Sequence, residues 1–364
     1  MSMGDVLVVG AGVMGCACAH RLLQAGYAVT LLERSFPGAE SSAAAAGILG
    51  AQSEVSEAGA FFELCLASRG MFREYARELR ELSGVDVAYE DSGVLEVALD
   101  PGEGRIVAGR ALWMLDRGLR VEVLDDIRAR ELEPSLTRRL VGANFYPDDH
   151  QVDPVRLAQA LASTVARLGG RFLAGEQVVG LVLEADRVVG VRTVAGLHRA
   201  EAVVVAGGAW SSGMADLPPL RTAIKPMAGQ ILLGEARPPL MRRVVYGLKG
   251  YIVPRADGRI LMGSTLEDRG FDKAVTIGGL QRISTMATEL VPGLAAVRLA
   301  QTWSGLRPAT LDNLPLLGAG PLPGLFFAAG HFRNGILLTP VTGQVIADLV
   351  QGRQPAWDIR PFAP

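Results

Sequence analysis

DVLVVGAGVMG, residues 5–15, is the stretch that decides the fold. It begins with a run of branched apolar residues, Asp5–Val9, which is typical of a strand buried on both faces of a parallel sheet. Gly10, Gly12 and Gly15 follow in the pattern G-x-G-x-x-G. In such a pattern the first glycine permits a tight turn, the second lets the backbone approach a pyrophosphate, and the third lets a helix pack closely on the sheet. The stretch therefore predicts a dinucleotide-binding turn.

The residues after the glycine turn complete the unit. A helix is expected from Val13 to Gln24, and a second buried strand, AVTLLE, from Ala28 to Glu33. The helix N-terminus would offer N–H groups to phosphates, and Glu33 stands where a carboxylate accepts hydrogen bonds from ribose hydroxyls. This context favours a bound dinucleotide over a glycine turn without a ligand.

The choice between NAD and FAD depends on features further along the chain. Arg34, directly after Glu33, does not decide it. The small residues from Ser41 to Gly47 favour FAD, because a loop of serines and alanines can lie against a cofactor that extends past its pyrophosphate. A second strand that ends in glycines, Val203–Gly208, also fits FAD proteins that carry two glycine turns near one cofactor.

The remaining patterns predict helices and strands without a flexible linker between them. The helices are expected at 61–82, 104–118, from Asp153-Pro154 to about 169, 276–290 and 339–352, and the strands at 93–98, 177–183, 187–194, 202–208, 250–253, 259–263, 300–306 and 325–328. Since no linker separates two units, we expect two interleaved domains. The predicted fold is α/β, with a Rossmann-like FAD-binding domain (1–84, 145–217, 303–364) and a substrate-binding domain on a mostly antiparallel sheet (85–144, 218–302).

Composition excludes several classes of protein. The 364 residues carry a formal charge of −2, which argues against nucleic acid as a partner. No stretch approaches the roughly 20 uninterrupted apolar residues of a membrane span, and the apolar N-terminus lacks the cationic start and cleavage site of a signal peptide. Three cysteines without framework spacing indicate reduced thiols and a cytoplasmic location. No metal site is predicted.

Five further motifs resemble the bacterial glycine oxidases, which belong to the wider D-amino-acid and sarcosine oxidase group. The likeness runs from Gly10 nearly to the C-terminus, with the motifs in order. They are SSAAAAGILGAQSE (41–54), GYIVPR (250–255), GSTLEDRGFD (263–272), WSGLRP (303–308) and AAGHFRNGILLTPVTG (328–343).

The resemblance implies a set of substrate-binding residues. Arg307 matches the arginine that pairs with the substrate carboxylate, Tyr251 matches the tyrosine that contacts the same group, and Arg333 matches a second arginine on the substrate side. Leu266 stands where a glycine oxidase has a methionine near the substrate, and Lys249 stands where it has a histidine. Both departures leave the preferred substrate open.

The resemblance also implies how the cofactor is held. FAD would be bound without a covalent link, because no cysteine follows Cys65. The helix expected after Gly335 would direct its N-terminus at the negative charge of the reduced flavin. The predicted cofactor-binding residues are Gly10, Gly12, Val13, Met14, Gly15, Glu33, Arg34, Ser41, Ser42, Ala46, Gly47, Ile48, Val178, Gly207, His331, Phe332, Arg333, Asn334, Gly335, Ile336 and Leu337.

The implied reaction is oxidative deamination of glycine or another small amino acid, such as sarcosine or a D-amino acid. A hydride would pass from Cα to flavin N5 and O2 would be the acceptor, giving an imine or 2-oxo acid and H2O2, with no side chain needed as acid or base. The product can feed thiamine biosynthesis, with thiazole synthase as the imine acceptor, and related oxidases are often homo-oligomers. Two alternatives remain open: an amino acid dehydrogenase that uses a quinone, and a tRNA-modifying FAD oxidoreductase.

Overall fold

The computed structural model describes residues 4–364. Its helices are α1 (Val13–Gln24), α2 (Ser41–Ala44), α3 (Ala60–Ser83), α4 (Pro101–Asp116), α5 (Asp126–Leu132), α6 (Pro154–Arg167), α7 (Ile277–Leu290) and α8 (Thr339–Val350). Its strands are β1 (Asp5–Val9), β2 (Ala28–Glu33), β3 (Ile48–Leu49), β4 (Val94–Ala98), β5 (Glu122–Leu124), β6 (Gly142–Tyr146), β7 (His150–Gln151), β8 (Arg171–Ala174), β9 (Val178–Glu184), β10 (Arg187–Thr193), β11 (Leu197–Arg199), β12 (Ala202–Val205), β13 (Lys225–Glu235), β14 (Val244–Gly247), β15 (Gly250–Pro254), β16 (Arg259–Gly263), β17 (Arg298–Ala309), β18 (Leu316–Ala319) and β19 (Leu325–Ala329).

The first large sheet has the strand order β18-β19-β12-β1-β2-β8. Its neighbours pair in parallel except β18, which is antiparallel to β19. The apolar runs predicted this burial, since all four residues of β12 and the last four of β1 are buried. Helices α1, α3, α6 and α8 share a hydrophobic core with this sheet. In parallel sheets of this kind, ligands bind beyond the carboxyl ends of the strands.

The second large sheet has the order β17-β13-β16-β15-β14-β4-β6-β5. Its neighbours are antiparallel except for the β14 and β4 pair. One face packs against α7 in a second hydrophobic core. A parallel dinucleotide-binding sheet beside a mostly antiparallel one confirms the predicted fold class.

The two sheets take their strands from alternating parts of the chain. The parallel sheet uses strands within 5–33, 171–205 and 316–329, and the antiparallel sheet uses strands within 94–146 and 225–309. β6 and β17 each cross a predicted domain boundary, at 144/145 and 302/303. The domain bounds therefore stay a prediction.

Some predicted elements differ from those found. The loop expected over Ser41–Gly50 contains the one-turn helix α2 and the short strand β3. The helix expected from Gly104 begins earlier, at Pro101, because the Asp100 carboxylate accepts hydrogen bonds from the first backbone N–H groups. The strands β13 and β14 were not predicted.

The three cysteines of the chain are thiols without a disulfide partner. Cys16, Cys18 and Cys65 are free and buried. Burial raises the pKa of the Cys16 thiol to about 12, so it stays protonated at neutral pH. Within residues 4–364, no helix combines the length and apolar character that crossing a bilayer requires.

Candidate active site

The glycine turn joins β1 to α1 as the sequence predicts. Gly10 has a positive φ of 98°, and its N–H donates to the Leu32 carbonyl at 2.8 Å. A Cβ on Gly15 would collide with the Gly10 carbonyl oxygen, so only a glycine lets the helix begin this close to the strand. The roles expected of these two glycines in shaping the turn are therefore visible in the backbone.

Side chains from β2 and α2 hold the turn from two sides. Glu33 accepts hydrogen bonds from the N–H of Ala11 at 2.9 Å and of Ser35 at 3.0 Å. Ser42 accepts one from the N–H of Val13 at 3.0 Å. Glu33 thus braces the glycine turn, and its predicted contact with a ribose stays a prediction.

A long cavity starts at this turn. Its empty space is about 1850 Å³, including the part open to solvent. Among the predicted site residues, those that line it are Gly10, Gly12, Val13, Met14, Glu33, Arg34, Ser41, Ser42, Ala46, Gly47, Ile48, Val178, Gly207, Tyr251, Arg307, His331, Phe332, Arg333, Gly335 and Ile336.

Five residues singled out from the sequence lie outside that lining. Gly15 and Leu337 are buried behind it, and Asn334 is turned toward a carboxylate described below. Leu266 is 55% exposed, and Lys249 is exposed in the turn between β14 and β15. Because Leu266 lies outside the cavity lining, its predicted contact with the substrate stays a prediction.

One end of the cavity suits the adenine half of a dinucleotide. The Arg34 guanidinium lies 3.7 Å from the centre of the Trp210 ring and forms an ion pair with Glu40 at 2.8 Å. Trp210 lines the cavity together with Val178. No motif in the sequence pointed to Trp210. The stacked pair provides a flat, partly charged wall there.

The glycines and small residues along the cavity fit FAD. A Cβ on Gly12 would meet Ser42 Oγ at 3.1 Å, on the wall where a pyrophosphate would approach the backbone. The cavity then continues past Ala46 and Gly47 to Arg307. It therefore has room for a cofactor that extends beyond its pyrophosphate.

Arg307 lies at the other end of the cavity, on β17. Its guanidinium donates to Ser264 Oγ at 2.5 Å and to the Thr265 carbonyl at 3.3 Å. In the described part of the chain it forms no ion pair with an acidic side chain. It lies against Gly229 on the neighbouring strand β13, where any Cβ would collide with it. Its charge is thus held by neutral oxygens and available to a ligand.

Tyr251 faces the same end from β15. It pairs with Tyr246 across the β14–β15 hairpin, and the two ring centres are 5.8 Å apart. Tyr251 lines the cavity, whereas Tyr246 lies behind it. The hairpin therefore presents one tyrosine to a ligand and keeps the other as a support.

A hydrogen-bonded chain connects Arg333 to a carboxylate. Arg333 donates to the Tyr246 hydroxyl at 3.1 Å, and Tyr246 donates to Glu54 Oε1 at 3.2 Å. Asn334 Nδ2 donates to Glu54 Oε2 at 3.3 Å. Burial raises the pKa of Glu54, although the Arg333 charge lowers it. Glu54 and Tyr246 were missed in the sequence, and the only available signal was that Glu54 closes the motif GILGAQSE.

Buried polar residues fix the loop that carries Glu54. Asp149 accepts hydrogen bonds from the N–H groups of Gln52 and Ser53 and pairs with Arg69 at 2.7 Å. Arg255 donates to the Ala46 carbonyl at 2.6 Å, at the other end of the same loop. These contacts set the direction in which Glu54 points.

The segment from His331 to Ile336 forms the wall shared by both ends, to which all of its residues except Asn334 contribute. Phe332 adopts a positive φ of 46°, and its N–H donates to the Pro308 carbonyl at 3.0 Å. His331 Nε2 lies 3.0 Å from Thr342 Oγ1, and burial lowers the pKa of His331 to about 3. The helix expected after Gly335 begins at Thr339, as the predicted range 339–352 has it, and turns occupy residues 335–338.

Comparison with known proteins agrees with this geometry. Residues 5–349 match the family model described as FAD dependent oxidoreductase. A glycine oxidase from Geobacillus kaustophilus is 37% identical over 99% of this chain and 96% of its own length. A bifunctional protein ThiO/ThiG from Nostoc sp. is 36% identical over 95% of this chain and 52% of its own length. The crystal structure of the Geobacillus kaustophilus glycine oxidase superposes with a TM-score of 0.96 at 36% identity, covering 99% of this chain and 98% of that one.

Proposed function

The chain belongs to the FAD dependent oxidoreductase family, and we propose that it is an amino acid oxidase that deaminates glycine or another small amino acid. The relatives named above include a glycine oxidase that matches nearly the whole chain. The proposed acceptor is O2, and the proposed products are an imine or its 2-oxo acid and H2O2.

One observation carries the proposal. The Arg307 guanidinium lines the cofactor cavity but is bound only by the neutral oxygens of Ser264 and Thr265 among residues 4–364. A partly buried cation without an acidic partner is costly unless a ligand supplies the opposite charge. A carboxylate matches the planar fork of a guanidinium, which supports an amino acid as that ligand.

Arg307 and Tyr251 would fix the position of the substrate. The guanidinium fork binds two carboxylate oxygens and so sets the direction of the Cα atom. Tyr251, 6% exposed in the hairpin, supplies a hydroxyl beside it. Arg333, held by the Tyr246 hydroxyl, adds a second positive charge to the same end.

The residues of the glycine turn, α2 and the shared wall would hold FAD. When bound, FAD supplies the electron acceptor for oxidation of the substrate C–N bond. The chain contributes backbone N–H groups at the start of α1, the small residues 44–47, and a wall of buried residues that excludes water. We expect this binding to be non-covalent, because the three cysteines are buried and free.

The imine acceptor and the compartment are also proposed. We propose that the imine passes to a thiazole synthase, because the chain resembles about half of a bifunctional ThiO/ThiG protein at 36% identity. A cytoplasmic location is supported by the three reduced cysteines.

A peroxide-release screen tests the proposed function. The purified yellow protein is assayed with glycine, sarcosine, D-alanine and D-proline, first with oxygen and then with an artificial dye as acceptor. We expect peroxide from glycine or a close analogue, and flavin released by mild denaturation. Turnover with the dye alone would identify a dehydrogenase, and turnover of none of these amines would contradict the proposal.

A further inference from the structure

An amino acid enters the cavity with a positive ammonium group as well as a carboxylate. Arg307 and Arg333 provide for the negative end, but an ammonium beside two arginines needs an acidic partner. Four acidic residues line the cavity. Glu33 is bonded to the glycine turn, and Glu40 is paired with Arg34 and Lys273. Glu176 lies next to Gln177 and Val178 in the chain, 3.8 Å from His198. Glu54 is the carboxylate placed at the substrate end.

Glu54 keeps free hydrogen-bonding capacity. Each of its oxygens accepts one long hydrogen bond, from Tyr246 at 3.2 Å and from Asn334 at 3.3 Å. A carboxylate oxygen can accept a second one. No lysine or arginine forms an ion pair with Glu54 within residues 4–364, and the residue lines the cavity beside Tyr251 and the two arginines.

Other titratable side chains at this end are poor proton acceptors. His331 lies near Thr342, and burial lowers its pKa to about 3. Burial also raises the pKa of Tyr246, whose hydroxyl already donates to Glu54. Glu54 is therefore the carboxyl group at this end that keeps a free lone pair.

Burial keeps the proton affinity of Glu54 above that of an exposed carboxyl group. Burial raises the pKa of Glu54, the charges of Arg333 and Arg307 lower it, and the negative charge of Asp149 raises it. The other facing groups are the Tyr246 hydroxyl and the Cys65 thiol, whose own pKa is raised by burial. A carboxylate with a raised pKa takes a proton from an ammonium more readily than an exposed one.

We propose that Glu54 binds the substrate ammonium and accepts one proton from it, an inference that rests on the proposed amino acid oxidase function. An N–H bond of the ammonium breaks and an O–H bond forms on Glu54. The electron pair stays on the nitrogen, so the substrate becomes a neutral amine without any change in oxidation state. Arg307 thus binds the substrate carboxylate, and Glu54 binds the ammonium group at the other end of the substrate.

The Glu54→Gln variant of the holoenzyme tests this role through its pH profile. The amide keeps the size of the side chain but removes its charge and its basicity. We expect kcat/KM for glycine to fall roughly 100-fold or more at pH 7. The loss should disappear as the pH rises through the pKa of the free ammonium, because the amine then arrives neutral. A loss of equal size at all pH values would assign Glu54 a purely structural role and overturn the inference.

Binding of glycolate provides a second measurement that does not depend on turnover. Glycolate matches glycine but has a hydroxyl in place of the ammonium, and its dissociation constant can be followed from the flavin spectrum. We expect Glu54→Gln to bind glycolate as tightly as the wild type or more tightly, since a nearby negative charge is removed. Weaker glycolate binding, in proportion to the lost turnover, would mean a distorted site and would overturn the inference.

Glu57→Gln is the matched control. It removes the same charge from the same loop, but Glu57 is exposed and lies outside the cavity lining. Its pH profile should equal that of the wild type. If the wild type oxidises glycine while Glu54→Gln keeps a normal profile, the inference alone fails. If the wild type oxidises none of the screened amines, the proposed function fails first and the inference with it.

Discussion

The two ends of the cavity are built in different ways. The dinucleotide end comes largely from one continuous run, β1 to β2, in which the glycine turn and Glu33 are close in sequence. The substrate end brings together Glu54, Tyr251, Arg307 and Arg333 from separate segments, and they meet only once the antiparallel sheet has formed. The first end depends on local backbone geometry and the second on long-range assembly, so they should fail in different ways.

The largest effect is expected at the substrate end, from Arg307→Ala. Removing one partner of a desolvated charge pair costs about 2–5 kcal/mol, so kcat/KM should fall about 1,000-fold while the FAD content stays normal. The kcat/KM of Arg307→Lys should lie between those of the wild type and Arg307→Ala, because lysine keeps the positive charge but lacks the planar guanidinium fork. Steady-state kinetics and the absorption spectrum measure both quantities.

The control for Arg307 lies on the same strand. Arg298 is exposed on β17 and paired with Glu235, so Arg298→Ala should leave kcat/KM unchanged. Normal turnover by Arg307→Ala would show that Arg307 does not contribute to substrate binding. The contrast between the two ends of the cavity would then be lost.

The next effect is expected at the dinucleotide end, from Gly15→Ala. The added Cβ would collide with the backbone carbonyl of Gly10, which cannot move without opening the turn. We expect a loss of about 2–3 kcal/mol of stability, as in an overpacked core, together with most of the bound FAD. Thermal unfolding and flavin content on one sample measure both.

Gly109→Ala is the matched substitution for Gly15→Ala. A Cβ on Gly109 in α4 meets nothing within 4 Å, so stability should stay the same or rise by about 0.5–1 kcal/mol. Full FAD content in Gly15→Ala would show that the glycine turn tolerates an added side chain. That result would contradict the claim that the dinucleotide end depends on local backbone geometry.

A smaller, pH-dependent effect is expected from the wall that both ends share. Burial lowers the pKa of His331 to about 3 in the folded protein, against 6.5 for an exposed histidine. Between these values the unfolded chain binds the extra proton, so stability should fall with decreasing pH by up to about 1.4 kcal/mol per unit. His20, with a pKa lowered to about 4 chiefly by burial, adds in the same direction.

Denaturant unfolding of wild type and His331→Gln from pH 7 to pH 4 measures this slope. The free energy of unfolding of the variant should change less steeply with pH than that of the wild type. The remaining slope should include the contribution of His20. Equal slopes in the two proteins would mean that His331 is not held neutral by the wall.

The smallest effect is expected from Tyr251→Phe. The loss of one hydrogen bond to a bound carboxylate costs about 1 kcal/mol, which is a five- to tenfold rise in KM with little change in kcat. Tyr27→Phe, which removes a hydroxyl that donates to the Val350 carbonyl, should leave KM unchanged. A KM unaffected by Tyr251→Phe would leave Arg307 as the only one of the two that binds the carboxylate.

Local patterns explain why much of the fold was predictable. β1, β2 and α1 were found where the apolar runs and glycines placed them, because buried parallel strands and a G-x-G-x-x-G turn each leave a signal within a few residues. β13, KPMAGQILLGE, was missed because proline and glycine obscure its alternation.

The substrate end shows what sequence could not supply. Arg307 and Tyr251 were selected through a family resemblance, and both line the cavity. Glu54 was part of a motif, yet its direction is set by Asp149, which lies on a distant segment. Leu266 also stands in a motif, yet it is exposed and outside the cavity lining, and its predicted contact with the substrate stays a prediction. Which way a loop side chain points depends on contacts that no short pattern encodes.

The Arg307 guanidinium lies against the backbone of Gly229, where any side chain would collide with it. The residue types at these two distant positions therefore depend on each other. Natural variants that keep this arginine should inherit the glycine with it, whereas variants that lose the arginine are free to acquire a side chain there. Covariation of the two positions across many sequences would reveal where evolution has exchanged one ligand for another on the same scaffold.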